Sequence, residues 1–136
     1  MKQMTGGCLC GGIRFRIDGA IQGETAHCHC TMCRRASGAP VVTWFTVKEE
    51  DYAVTKGEPK TYRSSAHGQR TFCPTCGAQL TFRTDQAPGY VDITVGTLDD
   101  PENHPATLHI WTSSRLPWLH LDENLPEKSG EGQLED

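Results

Sequence analysis

The chain has 136 residues and a formal net charge of −4, and hydrophobic residues make up 36% of it. Its arginines are scattered rather than gathered in a basic block, which argues against a nucleic-acid-binding surface. No apolar stretch approaches the roughly 18 residues of a membrane span. The length predicts a single domain whose lean core needs a further source of stability, such as bound metal.

The two ends of the sequence differ in character. Residues 1–4 lead into a glycine-rich segment without the apolar stretch of a signal peptide, so we expect a cytoplasmic protein. Residues 122–136 contain six acidic residues and one lysine, a local charge of −5. We therefore expect one domain over residues 1–127, followed by a disordered acidic tail over residues 128–136.

Short runs of strand-forming residues follow one another along the chain. Ile13, Phe15 and Ile17 alternate with polar residues, the period-two pattern of a strand with one buried face. Other β-branched and aromatic runs, separated by glycine and proline, predict strands at residues 41–47, 52–55, 71–72, 80–82 and 90–95. Short helices are expected at residues 31–36 and 98–102. The sequence therefore predicts a mainly β fold with few short helices.

Cys73 and Cys76 are followed by Gly77, the pattern of a zinc knuckle. Two thiolates three positions apart can bind one metal ion, and the glycine allows the tight turn that brings backbone N–H groups to sulfur. A structural zinc takes four ligands, and Cys8 and Cys10, set between two glycine pairs, are the natural second pair. We call these four residues the four-cysteine cluster. The alternative is that Cys8 and Cys10 are small buried hydrophobic residues.

Cys28, Cys30 and Cys33 form a second group, the three-cysteine cluster, whose thiols face one point if the chain is extended and then turns. Three thiolates with a vacant fourth position are the arrangement of catalytic zinc sites. Two alternatives stay open: His27 or His29 completes a closed structural site, or the cysteines are free redox thiols. Because it lies between two ligands on an extended segment, we expect His29 to point away from the metal and to pack nearby.

Arg34 and Arg35 directly follow the last cysteine of this cluster. They would offset the net negative charge of three thiolates on one divalent ion, and they offer a binding group for a substrate carboxylate. The alternative is a solvated pair on the surface.

The cysteine motifs together resemble one known family. The three motifs are Gly-Cys-x-Cys-Gly-x-Ile-x-Phe at residues 7–15, Cys-His-Cys-x2-Cys-Arg-x2-Ser-Gly at 28–38 and Phe-Cys-x2-Cys-Gly at 72–77. They resemble the glutathione-dependent formaldehyde-activating enzyme family, a domain also found in centromere protein V. Segments at residues 109–111, 117–119 and 122–126 are similar to its C-terminal signature.

This resemblance implies a fold, two metal ions and a reaction. The fold is a β-tent of small antiparallel sheets around a structural zinc held by the four-cysteine cluster. The three-cysteine cluster would hold a second, catalytic zinc. Near it, the thiol of glutathione would add to formaldehyde and give S-(hydroxymethyl)glutathione.

Two functions are therefore expected. The first is a zinc-dependent carbon–sulfur lyase that acts on adducts of a small thiol such as glutathione with an aldehyde. The second is a non-catalytic zinc-binding module that presents a surface to a partner protein, suggested by the small size, the lean core and the acidic tail. Neither function involves nucleic acid or a membrane.

Overall fold

The computed structural model describes residues 3–130, which form ten strands, one α-helix and four 3₁₀ turns. The strands are β1 (Met4–Gly7), β2 (Arg14–Ile17), β3 (Ala26–Cys28), β4 (Val42–Lys48), β5 (Tyr52–Lys56), β6 (Lys60–Arg63), β7 (Gly68–Phe72), β8 (Gln79–Thr84), β9 (Tyr90–Thr94) and β10 (Leu108–Ile110). The helix α1 spans Thr31–Ser37, and the 3₁₀ turns span Glu49–Asp51, Val95–Thr97, Pro101–Asn103 and Thr112–Ser114. The predicted mainly β class is confirmed.

The strands form two sheets. The small sheet has the order β1-β2-β5, and the large sheet has the order β10-β3-β4-β9-β8-β7-β6. All strand pairs are antiparallel, as expected, except β10 with β3, which is parallel. A parallel pair needs a long crossover connection, and here most of the chain lies between its two strands.

Most predicted strands are confirmed. The predicted runs correspond in order to β2, β4, β5, the end of β7, β8 and β9. The sequence pattern does not predict β1, β3, β6 or β10. Two of the four residues of β1 are glycine, and β3 and β10 have three residues each. β6 has no buried face and therefore no alternation.

The helix predicted at residues 31–36 is confirmed as α1. Of the short helix predicted at residues 98–102, only residues 101 and 102 are helical, as the start of the 3₁₀ turn Pro101–Asn103. At residues 98 and 99 the chain follows β1 instead: the backbone N–H of Asp99 donates to the carbonyl of Thr5 at 2.9 Å, and Leu98 forms a bridge with Gly6. The side chain of Leu98 is buried in the core. Backbone hydrogen bonds used between strands are not available to a helix.

The apolar core lies between the two sheets. It is centred on side chains that are almost completely buried, which include Phe15, Ile17, Phe45, Val47, Leu80, Val91 and Ile93. Cys8 and Cys73 belong to the same core. Successive strand residues point to opposite faces, so Trp44, next to Phe45, packs instead with the three-cysteine cluster. The large sheet thus has the core on one face and that cluster on the other.

The beginning of the predicted acidic tail lies against the last 3₁₀ turn. The backbone N–H groups of Thr112 and Ser113 donate to the carbonyls of Lys128 and Ser129. Residues 131–136, which contain the rest of the predicted disordered tail, lie outside the described residues. Within residues 3–130, no helix has the length and apolar character needed to cross a membrane.

Gly6 allows β1 to approach its neighbours closely. A Cβ atom at this position would overlap the carbonyl oxygen of Thr97 and the ring of Phe15. We expect Gly6→Ala to lower the free energy of unfolding by about 1–3 kcal/mol, the usual cost of overpacking. Urea denaturation of the metal-loaded protein measures this.

Gly96→Ala is the matched control for this change. A Cβ at Gly96 meets no atom within 4 Å, so we expect a change within about 0.5 kcal/mol. Equal stability of the two variants would show that β1 can move aside without cost.

Candidate metal centres

The four-cysteine cluster joins two turns that are distant in sequence. Cys8 and Cys10 lie between β1 and β2, while Cys73 and Cys76 lie between β7 and β8. Their four Sγ atoms all lie within 4.8 Å of one another, with Cys8–Cys10 at 3.6 Å and Cys10–Cys73 at 3.8 Å. A tetrahedral metal with sulfur bonds of about 2.3 Å places its sulfurs roughly 3.8 Å apart. The cluster therefore fits a metal ion, and its cysteines are free thiols.

Backbone N–H groups point at these sulfur atoms. Ile13 donates to Cys8 Sγ at 3.2 Å, and Cys76 donates to Cys73 Sγ at 3.4 Å. Hydrogen bonds from the backbone of Ala78, and then of Cys10, lower the pKa of the Cys76 thiol below its ordinary value. Such donors favour the thiolate form that binds metal.

Gly77 has the tight-turn role that the sequence predicts. Its φ of 79° is left-handed, and its backbone N–H donates to the carbonyl of Cys73 at 2.8 Å. A left-handed residue without a side chain closes this turn at little cost.

The three-cysteine cluster is buried and is built from the end of β3 and the start of α1. Cys28 ends the strand, Cys30 caps the helix, and Cys33 lies in the first helical turn. Their Sγ atoms lie within 4.8 Å of one another, with Cys28–Cys33 at 3.5 Å. Hydrogen bonds from the thiols of Cys28 and Cys33, and from the Cys33 N–H at 3.2 Å, lower the pKa of Cys30. This cluster could also hold a metal ion.

A small cavity of about 40 Å³ adjoins this cluster. Its lining consists of the three cysteines with Trp44, Arg70, Phe82, Asp92, Ile110 and Trp111. Liquid water occupies about 30 Å³ per molecule, so the cavity is on the scale of a ligand with one or two heavy atoms. Three sulfur ligands with free space beside them leave a fourth coordination position for such a ligand.

The two histidines of the motif lie away from the sulfur atoms. The ring nitrogens of His27 contact Thr43 Oγ1 at 2.8 Å and Asp122 Oδ2 at 2.7 Å. His29 Nε2 contacts His109 Nδ1 at 2.8 Å. Burial lowers the pKa of His29 to about 4, so this ring is neutral at physiological pH. Among the described residues at this cluster, only the sulfur atoms of Cys28, Cys30 and Cys33 lie close enough together to bind one metal ion, and neither histidine contributes a nitrogen to that set.

Arg70 is a charged neighbour of the cluster that the sequence reasoning missed. Its guanidinium nitrogens lie 3.6 and 3.7 Å from Cys33 Sγ, and Nη1 donates to Gln79 Oε1 at 3.0 Å. The side chain is 6% exposed and lies over the ring of Phe82. Among the described residues no carboxylate pairs with it, and Nε has no hydrogen-bond partner. A buried cation is costly unless paired, and thiolates bound to a metal in this cluster would supply the opposite charge.

Arg34 and Arg35, both in the last turn of α1, have different surroundings. Arg34 Nη1 donates to the carbonyl of Ser114 at 3.5 Å. Arg35 is exposed and lines a groove of about 650 Å³ between the helix and strands β6 to β8, which Arg70 also borders. Contact with the cysteine sulfur thus comes from Arg70, and Arg35 lies on the surface beside it.

The fold and the two clusters define a mainly β, cysteine-rich protein that could hold two metal ions, one of them in an open site. The chain belongs to the family described as glutathione-dependent formaldehyde-activating enzyme, whose model matches residues 3–114. The resemblance carried by the cysteine motifs is therefore confirmed.

Two proteins illustrate this similarity. A protein of Halomonas elongata named "Putative glutathione-dependent formaldehyde-activating enzyme" is 24% identical over 127 residues, covering 88% of this chain and 81% of its own length. The crystal structure of a Rhodobacter sphaeroides protein, a structural-genomics target, matches with a TM-score of 0.60 at 20% identity, covering 92% of this chain and 99% of its own. That second likeness shows the fold alone.

Removing one ligand from each cluster should have different effects. We expect Cys73→Ser and Cys30→Ser each to lower the metal count by one per chain. Cys73→Ser should also lower the free energy of unfolding by about 4 kcal/mol, because the metal no longer cross-links distant segments. Native mass spectrometry gives the metal count, and urea denaturation gives the stability.

Leu9→Ala is the control, since Leu9 lies between two ligands but its side chain is 88% exposed. It should keep both metals. If Cys30→Ser lost both metals, the claim that the two clusters bind metal independently would be wrong.

Replacing Arg70 should affect only the three-cysteine cluster. We expect Arg70→Met to weaken metal binding there by about 10–100-fold, the usual effect of removing a group that supports metal ligands. Competition with a chromophoric chelator measures both affinities. Arg16→Met, at a half-buried arginine paired with Asp18 and outside both clusters, should change neither affinity. Unchanged affinity in Arg70→Met would show that the guanidinium does not stabilise the thiolates.

Proposed function

We propose that this chain is a zinc-dependent carbon–sulfur lyase that forms and breaks the adduct of a small thiol with formaldehyde, as an S-(hydroxymethyl)glutathione synthase does. The observation that supports it is the gathering of three buried thiols around a cavity of about 40 Å³ beside Arg70. Family membership suggests glutathione and formaldehyde as the substrates. We further propose that the protein works in a reducing compartment such as the cytoplasm, where these cysteines stay free.

We propose one zinc ion in each cluster. The all-sulfur donor sets and their spacing suit zinc, which prefers tetrahedral thiolate sites. The ion in the four-cysteine cluster would be structural. When bound in the three-cysteine cluster, zinc supplies Lewis-acid chemistry that lowers the pKa of a thiol and polarises a carbonyl.

The surrounding side chains would prepare the cavity for this reaction. Arg70 places a fixed positive charge beside Cys33, which stabilises negative charge that forms nearby. Trp44 and Phe82 meet edge to face with ring centroids 6.4 Å apart and form an apolar wall. Such a wall excludes water, which competes with the thiol for the aldehyde.

The groove of about 650 Å³ beside Arg70 would hold the rest of the thiol substrate. Its volume falls in the range of small-molecule sites. Arg35 at this groove would bind a substrate carboxylate, since a guanidinium matches a carboxylate in shape and charge. Arg34, with its guanidinium at the Ser114 carbonyl, would contribute to the local positive charge.

Exchange spectroscopy tests this proposal directly. Zinc-loaded protein should accelerate the NMR exchange between free glutathione and its formaldehyde adduct beyond the rate in buffer. Cys30→Ser should reduce this acceleration by about 100-fold or more, because the charge stabilisation at the site is lost. Leu9→Ala should retain it.

If the wild type gives no acceleration over buffer, the lyase proposal fails. That result would favour the alternative, a non-catalytic zinc-binding module that presents a surface to a partner protein.

A further inference from the structure

Asp92 is an acidic residue in the middle of a central strand. It lies in β9 between Val91 and Ile93, both of which are buried in the core between the sheets. Because side chains alternate along a strand, Asp92 faces the opposite side of the large sheet, where it lines the cavity of the three-cysteine cluster. Aspartate is depleted in strands, so its presence here points to a role beyond folding.

The Asp92 carboxyl has few partners. Thr46, its cross-strand neighbour on β4, donates from Oγ1 to Asp92 Oδ1 at 2.5 Å. The second oxygen, Oδ2, has no hydrogen-bond partner within residues 3–130, and no cation pairs with the carboxyl there. The nearby Arg83 is already paired with Glu49. One carboxyl oxygen is therefore free to exchange a proton.

Charged and titratable groups face Asp92 from two sides. In the metal cavity these are Arg70 and the three thiols, and in an adjoining pocket of about 120 Å³ they are Arg83 and Tyr90. Burial raises the pKa of Asp92 to about 6, and the hydrogen bond from Thr46 opposes this. A carboxyl with a pKa near the working pH is suited to proton transfer. The adjoining pocket offers a path for proton exchange with solvent.

We propose that Asp92 is the proton-transfer residue of the three-cysteine site, taking the proton of the incoming thiol and giving it to the oxygen of the new hydroxymethyl group. This assignment rests on the proposed function. The proposed reaction needs a group that can accept a proton, deliver it to a second atom within the same small cavity, and then return to its starting state.

The atoms and electrons balance without a further reactant. The S–H bond of the thiol breaks and its proton passes to the Asp92 carboxylate. The sulfur then forms a bond to the carbonyl carbon, and the π electron pair of the C=O bond moves to oxygen. The proton passes from Asp92 to that oxygen, which restores the carboxylate. The reverse sequence breaks the adduct, and nothing is oxidised or reduced.

The pH dependence of the reaction tests this role. The wild-type rate should rise as the pH increases through about 6, because the base must be deprotonated to accept the thiol proton. Asp92→Asn should lower the rate at neutral pH by about 100-fold or more, and its rate should no longer rise as the pH increases through about 6. Asp92→Glu should recover part of the rate and part of this pH dependence. Asp85→Asn, at an exposed aspartate paired with His67, is the control and should match the wild type.

Two measurements that do not depend on activity separate proton transfer from a structural role. The ¹³C carboxyl resonance of Asp92 in the zinc-loaded protein should titrate near pH 6, and Thr46→Val should move the titration to higher pH by removing a hydrogen bond that favours the charged form. Asp92→Asn should keep the wild-type zinc content. A loss of zinc from Asp92→Asn would indicate a structural role and overturn the assignment.

The outcomes for the two proposals can be distinguished. If the wild type accelerates exchange and Asp92→Asn keeps the same rate and pH profile, the assignment of Asp92 is wrong and the lyase proposal stands. If the wild type gives no acceleration at any pH, the proposed function fails, and the role of Asp92 fails with it.

Discussion

The meeting of Cys8 and Cys10 with Cys73 and Cys76 is the constraint on which the rest of the structure depends. Cys10 and Cys73 are 63 positions apart, and Cys8 and Cys73 also belong to the core between the sheets. A cross-link over a loop of this size contributes about 4 kcal/mol in the loop-entropy account. A metal ion here would fix the turn between β1 and β2 of the small sheet to the turn between β7 and β8 of the large one. This cross-link would offset the limited burial that a lean, small domain can achieve.

The large sheet also positions the second cluster. Its strands fill the core with one face, as Phe45 and Ile93 do, and present groups of a different kind with the other, as Trp44, Arg70 and Asp92 do. A buried guanidinium and a poorly paired carboxyl both cost stability. We interpret this cost as the consequence of a site in which charges surround the thiols. Thiolates bound to a metal would compensate Arg70, and the Asp92 carboxyl keeps one oxygen free.

The sequence predicted the structural features that depend on residues close together in the chain. The cysteine pairs are close in sequence, so metal chemistry alone indicated both clusters, and alternation indicated strands such as β2. Arg70 could not be found in this way, because its place beside Cys33 follows from the register of β7 with β8, where it is opposite Phe82. Strand β6 could not be predicted either, because it has no buried face and therefore no alternation of apolar and polar residues. Asp92 did leave a readable signal, an acidic residue inside the apolar run at residues 90–95.

An anomalous-scattering map of crystals at the zinc absorption edge tests the central claim most directly. We predict two peaks per chain, one bonded to four cysteine sulfurs and one to three, all at about 2.3 Å, with the fourth ligand of the second ion not supplied by the protein. A protein side chain in that fourth position would contradict the open site. Disulfides or unligated thiols at the four-cysteine cluster would contradict the account of the fold itself.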